Sequence, residues 1–166
     1  MRSLVLAIVV SSMGLFAAAA QGQQPGTPQP QTVEPQNHSY VPDLGDIMET
    51  TQLRHFKLSF PGHETNWKLA NYELSQIRKS FDEAAKFYPD FANVALAKLI
   101  AEISEPALKQ VGDSISAEDS AAFSRAFGKL TDACNSCHQA AGFGFIAIRV
   151  PTSSPFSNQS FSPNRE

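Results

Sequence analysis

ETNWKLANYELSQIRKSFDEAAKFY, residues 64–88, carries the cleanest helical pattern in the chain. Trp67, Ala70, Leu74, Ile77, Phe81, Ala84, Ala85 and Tyr88 recur at the three- and four-residue steps that place side chains on one stripe of a helix. The remaining positions are mostly polar, and Pro89 stops the pattern. At about 1.5 Å per residue the segment spans roughly 37 Å. A stripe of that length must be covered by other elements of similar length.

Three further segments supply them. Residues 44–60 place Leu44, Ile47, Met48, Thr51, His55 and Leu58 on one face, and Pro61-Gly62 is expected to end the helix. Leu53, Phe56 and Phe60 lie off that face and suggest a second buried side or a dimer contact. Residues 91–111 present Ala92, Leu96, Leu99, Ile100 and Ile103 together, with Pro106 expected to break or kink the helix. The last segment opens on Ser116-Ala-Glu-Asp119, which resembles a capping box, and runs to about Ala141 before Gly142. No segment before the tail alternates with the two-residue period of a half-buried strand. The expectation is an all-α, antiparallel, up-and-down four-helix bundle over residues 43–142.

Outside the bundle, MRSLVLAIVVSSMGLFAAAA (residues 1–20) has an early Arg2, an apolar run and Ala18-Ala19-Ala20, the layout of a cleaved signal peptide. Residues 21–42 are rich in Gln and Pro and poor in aliphatic side chains, as in a flexible linker. The expected mature protein is exported to the periplasm and does not stay inserted in the membrane. The chain has 13 basic and 16 acidic residues, and loss of Arg2 leaves a net charge of −4. With no Lys/Arg run to track phosphates, nucleic acid is not expected as a partner.

Chemistry concentrates in LTDACNSCHQAAGFGF, residues 130–145, which holds the only two cysteines, Cys134 and Cys137, followed at once by His138. On a helix, Phe123, Phe127, Leu130, Cys134, Cys137 and Ala141 share one apolar face with His138 at its margin. Two thiols one turn apart can add across two vinyl groups of a porphyrin, and the adjacent imidazole can reach the iron, so the spacing predicts one covalent haem c. A thioredoxin-like dithiol needs a helix N-terminus to lower its thiol pKa, and this pair lies near a C-terminus. A zinc site would have to recruit His38, His55 or His63. A simple Cys134–Cys137 disulfide is compatible with export but leaves His138 unused.

If His138 takes one axial position, Met48 is the candidate for the other. In an antiparallel pair the start of the first helix meets the end of the fourth, which brings Met48 level with His138. His55 is the competing distal ligand, two turns further along the same face. A thioether would favour ferrous iron and suit electron transfer. If neither residue binds, a five-coordinate iron would take up NO or CO.

These features resemble the class II c-type cytochromes, the cytochrome c′ family. The likeness covers roughly residues 43–142, rests most specifically on CNSCH, and extends to LGDIMETTQLRHFKLSFPGHETNWKLANYEL as the first two helices. It implies thioether attachment at Cys134 and Cys137, His138 as proximal ligand and a distal side lined by the first helix. Met48 stands where low-spin members of the family carry methionine.

The tail, residues 143–166, goes beyond the family fold. Phe143, Phe145, Ile146, Ile148, Phe156 and Phe161 are expected to pack it back on the bundle or to leave it partly disordered. No second constellation of acid, base or nucleophile is evident; Asp132 and Glu118 look like ordinary surface acids. The expected role is an electron carrier with protein redox partners and not an enzyme. The alternatives are a gas-binding haem protein and a haemless helical module that binds through its aromatic tail.

Overall fold

The computed structural model describes residues 40–163; the expected signal peptide, nearly all of the linker, and His38 lie outside the described residues. The described chain is all-α and folds into four helices. Helix α1 is Leu44–His63 and α2 is Trp67–Phe87. Helix α3 joins three contiguous pieces, Leu96–Leu99, a π-helical turn Ile100–Ser104, and Glu105–Ser116. Helix α4 is Ser120–Ala140. Short connections make each helix antiparallel to the next, giving the up-and-down bundle. None of the described helices is long and apolar enough to cross a membrane.

Local chemistry sets the boundaries, and several differ from expectation. Asp43 caps α1, accepting from the Gly45 N–H at 2.7 Å. The helix does not stop at Phe60 but continues through Pro61 to His63. A proline in the last turn removes one N–H without ending the coil, and the Glu64 N–H to Phe60 carbonyl bond closes that turn at 2.8 Å. Gly62 is required there, because a Cβ would drive into the Phe123 ring. Helix α2 starts after the left-handed Thr65, three residues later than expected, with the Asn66 side chain capping the Leu69 N–H.

The third helix begins at Leu96 and not near Phe91. Ala92 and Asn93 both have positive φ, and Phe91 and Val94 exchange two 2.9 Å backbone bonds in a tight reversal. Pro106 does not split the helix, because the π turn immediately before it absorbs the distortion. The coil then runs on to Ser116, past the expected end at Val111. The N-cap of α4 is therefore Asp119, whose carboxylate accepts from the Ala122 N–H at 2.9 Å, and Ser116 belongs to the preceding helix.

The expected stripes of α1, α2 and α4 face inward; in the third segment Leu96 and Ile100 are buried, Leu99 and Ile103 are half-buried, and Ala92 is exposed in the turn before the helix. Leu58, Leu74, Ile77, Leu108, Val111, Phe123, Phe127 and Leu130 are almost fully buried and fill the half of the bundle distant from the α4 C-terminus. Burial on this scale supplies the main drive to associate the helices. Glu73 departs from the pattern: it lies on the inner side of α2 at 1% exposure and is paired with Arg54 at 3.1 Å.

After Gly142 the tail follows the bundle without regular secondary structure. Phe156 packs edge-on against Phe56, and Phe161, almost fully buried, lies 5.1 Å from Phe60 between ring centroids. Ser162 bonds to both Glu64 and Asn66. The tail thus covers Phe56 and Phe60, two members of the apolar flank noted in the sequence, while Leu53 stays exposed.

Candidate functional site

At the other end of the bundle the helices part around a cavity of about 530 Å³. The start of α1, the end of α2, the start of α3, the end of α4 and the first residues of the tail all contribute to its wall. The volume falls within the roughly 300–1,000 Å³ typical of cofactor pockets. Leu44, Phe81, Tyr88, Leu96, Ile100 and Phe143 make the lining mainly apolar.

Met48, His55, Cys134, Cys137 and His138 all line this one cavity. Helix register explains how. His55 on α1 bonds to Thr131 on α4, and eight residues further along α1 His63 packs on Phe123, eight residues back along α4. Seven residues in the opposite sense, the same register sets Met48 level with His138. Both side chains are partly buried, with the cavity between their helices.

Cys134 and Cys137 are free thiols. Burial, reinforced by the neighbouring Cys137 sulfur, pushes Cys134 up to about 12, and burial also raises Cys137. Both therefore stay protonated near neutral pH, the opposite of what a reactive dithiol needs. Among the described residues no group of three or more His, Cys, Asp and Glu side chains could hold a bare metal ion. His63, one of the residues a zinc site would recruit, lies against Phe123 and Ser124 near the start of α4, about 20 Å along that helix from His138.

His138 is oriented by the main chain. Its Nδ1 lies 2.8 Å from the Ile146 carbonyl oxygen. A carbonyl can only accept, so Nδ1 carries a proton, and in the neutral ring Nε2 is the nitrogen with the free lone pair. His55 differs in its commitments. Its Nε2 is 2.9 Å from the Thr131 hydroxyl, its ring stacks on Phe127 at 4.6 Å, and burial lowers its pKa to about 4.

A haem fits this donor set. Two neutral thiols one turn apart, an imidazole with Nε2 unprotonated and a thioether level with it surround one apolar cavity.

The sequence left several wall residues unassigned. Ser104, on the π turn, is 1% exposed, lines the cavity and has an Oγ without a hydrogen-bond partner. Phe91 reaches the wall through the reversal before α3 and stacks on Phe143 from the tail at 5.8 Å. Tyr88 closes one rim by donating from its hydroxyl to the Pro42 carbonyl at 3.0 Å. The π turn offers a retrospective signal, since such turns favour functional sites and Pro106 marks where one is needed.

Fold and site together define a small all-α, four-helix bundle with a Cys-x-x-Cys-His motif opening on an apolar cavity. Comparison with family models, curated proteins and solved structures gives no match for the chain.

Proposed function

We propose that the chain is an exported, periplasmic mono-haem c-type cytochrome that carries electrons between protein partners and is not itself an enzyme. The observation that carries this reading is the convergence of Cys134, Cys137, His138 and Met48 on one apolar cavity, with Met48 in register with His138. Cys134 and Cys137 would hold haem c by thioether bonds, each S–H adding across a vinyl group. When bound, the haem supplies a one-electron ferric/ferrous couple. His138 would bind the iron through Nε2 and Met48 through its sulfur. Met48 is preferred to His55, whose Nε2 is already engaged by Thr131.

The mainly apolar wall would limit the access of water to a bound haem, and low polarity there would favour the less charged ferrous state. The likeness to the low-spin cytochrome c′ proteins supports the same assignment through CNSCH and the early methionine.

The test is expression of the full chain in an exporting host with a c-type haem-attachment system, followed by intact mass and optical spectra. The expected result is the mass of one added haem and a six-coordinate low-spin spectrum. An unshifted mass refutes covalent haem. A five-coordinate high-spin spectrum with added haem refutes Met48 ligation and favours a gas-binding protein instead.

A further inference from the structure

The CNSCH motif contains a residue that haem attachment does not use, Asn135, and its side chain pairs with the tail. Ile148 donates its N–H to Oδ1 at 2.7 Å, and Nδ2 donates back to the Ile148 carbonyl at 2.9 Å. A side-chain amide here makes the two-bond contact that a neighbouring strand would make. Two residues upstream, the Ile146 carbonyl accepts from Nδ1 of His138.

The end of α4 brings the tail back to this position. Gly142 adopts φ +82°, its N–H bonds to the Gln139 carbonyl, and the Phe143 N–H bonds to the His138 carbonyl at 2.7 Å. This is a Schellman ending, in which a left-handed glycine reverses the chain. The Ile146 N–H then closes a second turn on the Phe143 carbonyl at 2.8 Å. Phe143 anchors the loop on Phe91.

We infer that Asn135 is a positioning residue: it clamps the tail at Ile148 so that the Ile146 carbonyl holds the proton of His138 on Nδ1 and leaves Nε2 free for the iron. The iron in this statement rests on the reading proposed above; the tautomer does not. Free histidine in water prefers the proton on Nε2, the wrong nitrogen for ligation. A fixed carbonyl at Nδ1 reverses that preference before any haem arrives. Without the clamp the 146–148 segment has no other hydrogen bond to α4 besides the one at His138 itself, among the described residues.

The test uses the full-length protein with and without haem, as wild type, Asn135→Leu and Asn135→Asp. In the unloaded chain, at a pH where the imidazole is neutral, long-range proton–nitrogen spectra report the His138 tautomer. The wild type is expected to carry Nδ1–H, Asn135→Leu to shift mainly to Nε2–H, and Asn135→Asp, which keeps the acceptor for the Ile148 N–H but faces the Ile148 carbonyl with an oxygen in place of the Nδ2 donor, to fall between the two. In the loaded chain the His138 Nδ1–H is expected to exchange with solvent at least tenfold faster in Asn135→Leu. An Nε2–H wild type, or an Asn135→Leu variant with unchanged tautomer and exchange, overturns the inference. If Asn135→Leu loses helix content, Asn135→Ser, which is shorter and cannot span to Ile148, is read in its place under the same criteria. Intact mass decides haem attachment separately, so failure of that reading is distinguishable from failure of the clamp.

Discussion

Nε2 of His55 lies 2.9 Å from Oγ1 of Thr131, and that hydroxyl donates its own proton to the Phe127 carbonyl at 3.0 Å. With its single hydrogen spent, the hydroxyl can only accept, so His55 is the neutral Nε2–H tautomer. Burial holds its pKa at about 4, against 6.5 for an ordinary imidazole. Between those values the unfolded chain binds a proton that the folded chain refuses. Stability is therefore complete above pH 6.5 and falls as the pH drops toward 4. The shift corresponds to about 3 kcal/mol over that window. Urea unfolding at pH 7 and pH 4.5 should show this loss in the wild type and a smaller one in His55→Gln, whose amide can still donate to Thr131. An equal loss in both would remove His55 as its source.

Gly62 and Phe123 make a contact that tolerates no side chain, since a Cβ on Gly62 would overlap the ring. Gly62→Ala should destabilise the protein by about 1–3 kcal/mol through overpacking. Phe123→Leu alone should also destabilise by leaving a cavity. Combining the two should cost less than the sum of the single effects, because the smaller side chain makes room for the new methyl. Strictly additive thermal-unfolding data would rule out the steric account.

Met48 should control the iron's sixth position in the haem-loaded protein. Met48→Ala is expected to abolish the weak red-end charge-transfer band of thioether-ligated ferric iron, to lower the reduction potential, and to admit added CO readily. His55→Gln should leave the band in place. Loss of the band in His55→Gln, with retention in Met48→Ala, would reverse the assignment.

The bundle was legible because four apolar stripes run at helical spacing, and those of α1, α2 and α4 lead directly to buried residues such as Leu58, Leu74 and Phe127. Helix ends were less legible. Pro61 falls in the last turn of α1, where the loss of one N–H does not end the coil, and the late start of α3 depends on left-handed Ala92 and Asn93, neither of which is glycine. The cysteines, His138 and Met48 stand out as candidates by type and spacing, and all four line the one cavity. The carbonyl of Ile146 cannot stand out, because every residue has one, and it takes the turn at Gly142 and the Asn135 contact with Ile148 to set this one against His138. Ser104 was equally silent: a serine in a helix has no signature that separates a solvent-facing hydroxyl from a buried one.

The pair Arg54–Glu73 gives an asymmetric prediction. The Glu73 side chain is 2% exposed and that of Arg54 is 25% exposed, so one partner lies in the interior and the other reaches in from the rim. Arg54 also stacks its guanidinium over the Tyr72 ring at 5.8 Å, which steadies it on α2. Removing the arginine strands a buried carboxylate, whereas neutralising the carboxylate leaves a cation that can turn toward water. Arg54→Met should therefore destabilise by about 3 kcal/mol, and Glu73→Gln by clearly less. The double variant Arg54→Met/Glu73→Gln should recover much of the loss, since no unpaired charge remains inside. Denaturant midpoints for the four proteins form a double-mutant cycle that reads the coupling directly. Equal losses from the two single variants, with no recovery in the double, would show that the ion pair does not govern the stability of the α1–α2 contact.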